Sequence, residues 1–361
     1  MTQRERQILQ MIENDPMIQQ QQIADKLGIT RSSVAVHISN LTKKGYIAGK
    51  GYVLRSGSYA VVVGGVNVDI GGRSHKPLVA ADSNPGTVSF SLGGVGRNIA
   101  HNLCLLGTEV RLLSAYGDDI NGQRVAASCS ELGIDASHAL VVPGGPTSTY
   151  LYLTDPEGEM ALAVSDMSIC DLITPAYLEA NLGILRNAQV VVADANIPAE
   201  TLAYLAENCQ VPLFVDPVST VKAEKIRPIL SAIHTLKPNR MEAELLSGVP
   251  IRCLEDVPKA AGVLLDQGVH RLFISLGADG MYAAMGDERL WLPNIPGQMV
   301  NTTGCGDAVM AALAWAYLEG MNLKQTALAG LAAGSIAMES AETINSAMSA
   351  TALRSRMTQN Q

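Results

Sequence analysis

The residues with the clearest chemistry stand in Val300–Ala308, which reads VNTTGCGDA. Gly304 and Gly306 flank Cys305, Asp307 follows, and a helical run of small apolar residues extends from Val309 to Leu318. A turn of small residues ahead of a helix lets backbone N–H groups point at an anion. A carboxylate in that first turn is repelled by the anion unless it moves a proton, so the stretch reads as a place for phosphoryl transfer. The alternative is an ordinary helix cap with glycines for close packing. Asn67 and Asp69 follow the apolar run Tyr59–Val63. Asp69 can accept hydrogen bonds from two vicinal hydroxyls and Asn67 can both donate and accept, although an Asx turn would use the same residues. Gly93-Gly94-Val95-Gly96-Arg97-Asn98 completes neither a dinucleotide fingerprint nor a Walker loop. It reads as a glycine-rich strand-to-helix turn that brings a ligand close to the backbone and to Asn98. Asn239 and Glu242 stand three apart, on one face of a helix that opens after Leu236-Lys237-Pro238.

The elements that must hold these residues alternate. Tyr59–Val63, Glu109–Ala115, Gln189–Ala193 and Pro212–Val215 are β-branched or apolar runs, the mark of strands buried on both faces of a parallel sheet. Asp194 and Asp216 stand at the ends of two of them, and Asn67-Val68-Asp69 follows the first at its carboxyl end, the usual ligand edge of such sheets. Arg271–Leu276 is a further strand, closed by Gly277-Ala278-Asp279-Gly280. Two stretches break the alternation and read as pieces of a small β lid, one over about 71–91 and one over about 147–165.

Composition bounds the rest. The chain has 361 residues, 47% hydrophobic and 17% charged, enough for a large core and against global disorder. Its six cysteines form no CxxC pair and suit a reducing compartment. The longest apolar run, Ala308–Leu318, is too short to span a bilayer, so a cytoplasmic protein with no membrane partner is expected. The net charge of −8 is uneven, since residues 1–55 hold eight basic and four acidic residues against 18 and 30 in the remainder. Apolar spacing in that basic segment predicts helices over 3–13, 20–27 and about 31–44, the last capped by Thr30 or Ser32, and then a hairpin with a Gly49-Lys50-Gly51 tip.

Helix, helix, Gly28 turn, helix and hairpin resemble a winged helix-turn-helix. That resemblance implies a recognition helix offering Arg31, Ser32, Ser33 and His37 to the major groove of double-stranded DNA, with Lys50 at a phosphate. A winged helix used only for docking or dimerisation is the alternative. Asn67/Asp69, the Gly93–Asn98 turn, Asn239xxGlu242, Gly277–Gly280 and Thr303-Gly-Cys-Gly-Asp307, in that order, make residues from about 58 to 350 resemble the PfkB (ribokinase-like) sugar and nucleoside kinases. Within them, GGVNVDIGG and SLGGVGRNIAHNLCLLG are most similar to bacterial pseudouridine kinases. The implied fold is α/β, a ribokinase-like αβα sandwich with a small β lid, plus the N-terminal winged helix, divided as 1–55 and 58–361.

The resemblance also implies roles. Asp307 would be the general base, and the N–H groups of Gly304, Cys305 and Gly306 the anion hole. Asn67, Asp69, Gly94 and Asn98 would hold the sugar, and Asn239 and Glu242 would order Mg²⁺ largely through water. Gly277, Gly280, Thr303 and Asn345 would border ATP. Relatives carry aspartate at Asn301, where it serves a monovalent cation, which puts potassium use in doubt; Cys305 stands where alanine is usual. The implied activity is an ATP-dependent nucleoside or sugar kinase acting on a ribose 5′-hydroxyl, pseudouridine first, in a homodimer. A nucleoside-sensing transcriptional regulator and a kinase for another sugar are the alternatives.

Overall fold

The computed structural model describes residues 1–47 and 59–358. The expected hairpin tip, Lys50 with it, and the 55–58 boundary therefore lie outside the described residues. The first helix, Gln3–Asn14, opens on a capping box between Thr2 and Glu5. Gln20–Leu27 ends at Gly28, whose φ of 62° needs glycine's freedom, and Thr30 caps Arg31–Lys43 through Ser33 N–H. Ile8, Ile12, Ile23, Val34, Leu41 and Ile47 close a small core of their own. Lys44 pairs with Glu5 at 2.7 Å and ties the end of the third helix to the start of the first.

A nine-stranded sheet forms the centre of the body. Its spatial order is Glu288–Leu292, Met281–Met285, Arg271–Ser275, Thr235–Leu236, Leu213–Asp216, Val190–Asp194, Tyr59–Val63, Glu109–Leu113 and Ile134–Asp135. All neighbours pair in parallel except at the edge formed by the first three, where pairing is antiparallel. One face is covered by Val95–Leu105, Cys305–Leu318 and Leu323–Ala337, whose many alanines and glycines let helices approach closely. A second apolar layer, including Leu178, Leu205 and Leu264, covers the other face.

The lid is a separate four-stranded sheet, in the order Gly86–Gly93, Asn67–Ser74, Thr149–Thr154, Met160–Asp166. Asn67 and Asp69 belong to it: after Val63 the chain leaves the main sheet through Gly64-Gly65-Val66, and Asn67 pairs opposite Gly93. The sugar-binding candidates are thus the root of the lid. The head touches the body at the opposite, amino-terminal end of the strands. There Glu13 lies 3.8 Å from Arg111, and Asn14 Nδ2 donates to the Ala180 carbonyl. A side chain on Gly183 would collide with the Glu13 carbonyl, so the close approach depends on that glycine.

Candidate active site

Asp307 is the third residue of the helix Cys305–Leu318, and its carboxylate accepts one hydrogen bond, from Asn98 Nδ2 at 2.8 Å. Gly304 caps the helix with φ 81°, and a Cβ there would stand 2.4 Å from the Thr343 carbonyl. The Cys305 N–H bonds the Thr302 carbonyl weakly, at 3.3 Å, while the N–H groups of Gly304 and Gly306 meet no backbone acceptor among the described residues. Asn98 sits in the first turn of Val95–Leu105, capped by Gly94 at φ 97°. A Cβ on Gly94 would be 2.5 Å from the Gly65 carbonyl, so the helix start is pressed against the end of the first body strand. Asn98 Oδ1 is buried with no hydrogen-bond partner among the described residues.

Asn67 Nδ2 donates to Asp69 Oδ1 at 2.6 Å. A Cβ on Gly93 would stand 2.3 Å from Asp69 Oδ2, which explains glycine opposite Asn67. Burial pushes the Asp69 carboxyl up, and the Asn67 bond pulls it partly back.

Asp307 carries the site's most telling electrostatics. Burial and the neighbouring Asp216 charge push its pKa up to about 7, against the pull of Asn98 and Lys237. Lys237 Nζ pairs with Asp216 at 3.2 Å, both side chains nearly fully buried, and lies 3.5 Å from where a Cβ on Gly306 would be. Burial opposes the ammonium charge, but Asp216, Glu242 and Asp307 outweigh it and raise the lysine's pKa. Asp194 is fully buried at the end of its strand, accepting from Gly65 and Asn196 N–H at 2.9 and 2.8 Å. In sequence Asp194 and Asp216 were named only as strand ends, and Lys237 only within the run before Asn239; none was given a role. The signal was present, because the aspartates end apolar strands and the lysine directly follows one.

Asn239 and Glu242 form a reciprocal capping box: Asn239 Oδ1 accepts from Glu242 N–H at 2.9 Å, and Glu242 Oε2 from Asn239 N–H at 2.8 Å. This cap uses one carboxylate oxygen. Burial raises the Glu242 pKa, opposed by that cap and by Lys237. Among the described residues no group of three or more His, Cys, Asp or Glu could hold a metal ion by itself.

Beyond Gly306 opens a cavity of about 510 Å³. Lys237, Asn239, Gly277, Gly280 and Gly306 line one end, and Met281, Met299, Leu331 and Met338 make its apolar wall. Thr302 lines it, whereas Thr303 is exposed and is absent from the lining. Asn345 does not line it either: its side chain braces its own loop, donating to the Ile336 carbonyl at 2.6 Å and accepting from Ala347 N–H. Asn301 is likewise occupied, with Nδ2 on the Ala341 carbonyl at 3.1 Å and Oδ1 on Thr303 N–H. In the head, Arg31 and Ser32 are exposed, but Ser33 bonds Thr30 and His37 is half-buried with Nδ1 unpartnered. Val36, which had not been chosen, is 59% exposed on the same helix.

The architecture agrees with comparisons to known proteins. Residues 58–350 match the model of the pfkB family carbohydrate kinases, and residues 1–48 match a winged helix-turn-helix DNA-binding model. The pseudouridine kinase of Escherichia coli (strain K12) is 46% identical over 270 residues, covering 74% of this chain and 86% of that protein. A sugar kinase of the same organism, YeiI, uncharacterized, is 40% identical over 352 residues, 97% of each chain. The solved carbohydrate kinase from Agrobacterium tumefaciens superposes with a TM-score of 0.74 at 27% identity, covering 84% of this chain and 97% of that one. No helix of the described residues is long and apolar enough to cross a membrane. The chain belongs to the pfkB family of carbohydrate kinases and carries a winged helix-turn-helix ahead of its ATP-dependent kinase body.

Proposed function

We propose that this kinase transfers the γ-phosphate of ATP to the 5′-hydroxyl of a nucleoside ribose, with pseudouridine the favoured substrate. The observation that carries the reading is the place of Asp307, a half-buried carboxylate with its pKa raised to about 7, bonded to Asn98 and adjoining Gly306 at the 510 Å³ cavity. The 46% identity to a pseudouridine kinase supports the choice of nucleoside. Asp69 and Asn67 would grip the ribose diol, and the free Asn98 Oδ1 would accept from a sugar hydroxyl. Asp307 would take the proton of the attacking hydroxyl. The N–H groups at Gly304 and Gly306 and the Lys237 ammonium would meet charge on the transferring phosphoryl group. Glu242 and Asn239 fit an Mg²⁺ held mainly by water and nucleotide oxygens, since that ion commonly takes only one or two carboxylates from the protein. The ion would supply charge neutralisation on the phosphates.

Asn301 already bridges its loop to Ala341 by a neutral amide, so turnover should differ little between potassium and sodium. A coupled assay across pseudouridine, uridine, cytidine, inosine, adenosine and ribose, run in each salt, tests both points. Pseudouridine should give the highest kcat/KM, and a clear preference for a free sugar would overturn the nucleoside assignment.

Asp307→Asn should lower kcat by on the order of 10²–10⁴-fold. The folded pKa of about 7 lies above the unfolded carboxylate value of about 3.9. Asp307 therefore costs the fold stability progressively as pH rises from about 4 to about 7, and the cost stays constant above that. The variant should melt higher than wild type at pH 8, with the margin shrinking towards pH 4. Retained turnover, or a lower melting point at pH 8, would contradict the assignment.

We read residues 1–55 and 58–361 as separate domains, the first binding double-stranded DNA through Arg31, Ser32 and neighbours. Val88, Phe90, Leu151, Leu153, Leu162 and Val164 share one exposed face of the lid, as the strand registers place them, and would meet a second copy. Two heads on one dimer compensate for the few basic side chains on each. Sedimentation should show a dimer that Val164→Asp dissociates. Duplex DNA binding should weaken with salt, with Arg31→Ala and with that dissociation. A monomeric wild type, or DNA affinity indifferent to all three, would overturn this part.

A further inference from the structure

The loop after the strand Val190–Asp194 carries a polar pair that the roles above leave unused. Asn196 is 7% exposed, and its Oδ1 accepts from Lys222 Nζ at 2.5 Å. The carbonyls on either side of it, Ala195 and Ile197, are both held by Lys225 Nζ, at 3.2 and 3.1 Å. Lys222 lies in a short turn capped by Ser219. That turn follows Val218, whose φ of 67° is a left-handed conformation that a β-branched residue rarely adopts. Strain of this kind persists where surroundings over-determine it, and the Val218 N–H is fixed by Asp216, the partner of Lys237. Two separate braces thus set the amide and the ammonium against each other.

The pair adjoins the candidate sugar site. A Cβ on Gly65 would lie 3.3 Å from Asn196 Nδ2 and 3.1 Å from the Met167 methyl, while the Gly65 carbonyl meets Gly94 and Arg97 N–H. Gly65 is two residues before Asn67 and its N–H goes to Asp194. A sugar gripped by Asp69 with its reactive hydroxyl at Asp307 has one remaining substituent, that at the anomeric carbon, and this wall is the unclaimed side.

With Oδ1 turned to Lys222, the pair presents chiefly donors: the amide N–H groups, one turned towards Asp194, and the remaining ammonium protons. A free anomeric hydroxyl could accept from these donors, but its own proton would lack an acceptor there, since the Asp194 carboxylate is already engaged by two backbone N–H groups. We infer that Asn196 and Lys222 read the carbonyl oxygens of a uracil-type base and reject bases that present an amino group at that edge. This rests on the nucleoside reading above and narrows it. Facing donors with donors leaves both unpaired and desolvated, which discriminates more strongly than a lost contact.

The test compares kcat/KM for pseudouridine, uridine, cytidine and ribose in wild type, Lys222→Met and Asn196→Asp, with a melting curve for each. In wild type, the uracil nucleosides should exceed cytidine by on the order of tenfold to a hundredfold. In Lys222→Met the ratio of uracil nucleoside to ribose should fall by about tenfold or more, chiefly through KM. Asn196→Asp, which exchanges a donor for an acceptor, should narrow or reverse the preference over cytidine. Wild-type turnover of nucleosides with all ratios unchanged in both folded variants would overturn this inference alone. Wild-type turnover of ribose but of no nucleoside would overturn it together with the nucleoside reading.

Discussion

Three carboxylates, Asp194, Asp216 and Asp307, share one largely buried region with a single close cation, Lys237, and the site depends on how their charges are divided. Asp194 is answered by two backbone N–H groups, and Asp216 by the Lys237 ion pair and Val218 N–H. Among the described residues Asp307 receives one amide, from Asn98. Burial first, and then the Asp216 and Asp194 charges, push its pKa up to about 7 against Asn98 and Lys237, while burial lifts Asp194 to about 6 against its two N–H groups. A structural acid would gain from full satisfaction; a proton acceptor gains from being left short of it.

The fold supplies this arrangement through strand direction and the absence of side chains. Asp194 and Asp216 end adjacent parallel strands and are paired in register. Lys237 follows the next strand, so one edge of the sheet gathers the charges. Gly64 then allows the Asp194 carboxylate to approach the first strand, because a Cβ there would stand 2.3 Å from Asp194 Oδ2. Gly94 and Gly304 place two helix starts on the same point from opposite elements. The lid roots at Asn67, so its position and the proposed grip on substrate are mechanically one element.

Much of this was legible in sequence because it rests on short-range rules. Apolar β-branched runs marked the parallel strands, and the glycine spacing at Gly93–Asn98 and Gly304–Asp307 marked both helix starts. What escaped depends on neighbours far apart in the chain. Lys237 directly follows a strand, but it sits beside Asp216 and near Gly306 only after the strands pair. Asn345 looked like a nucleotide contact, but its two polar ends bond backbone, one at Ala347 N–H and the other at the Ile336 carbonyl nine residues back. Ser33 and His37 were chosen by position on a recognition helix, whereas packing against the head's own core turned Val36 outward instead.

The central claim is that Asp307 is the proton acceptor and that burial, opposed by the Asn98 amide, sets its working range. The pH dependence of kcat/KM, measured for the wild-type enzyme with the acceptor varied at saturating ATP, addresses it directly. Activity should fall as pH drops through about 7, following one ionisation, because protonation removes the base. Asn98→Ala, which deletes the one amide that favours the carboxylate, should move that limb to higher pH. A profile flat from pH 8 to pH 5, or a limb unmoved in Asn98→Ala, would contradict the account.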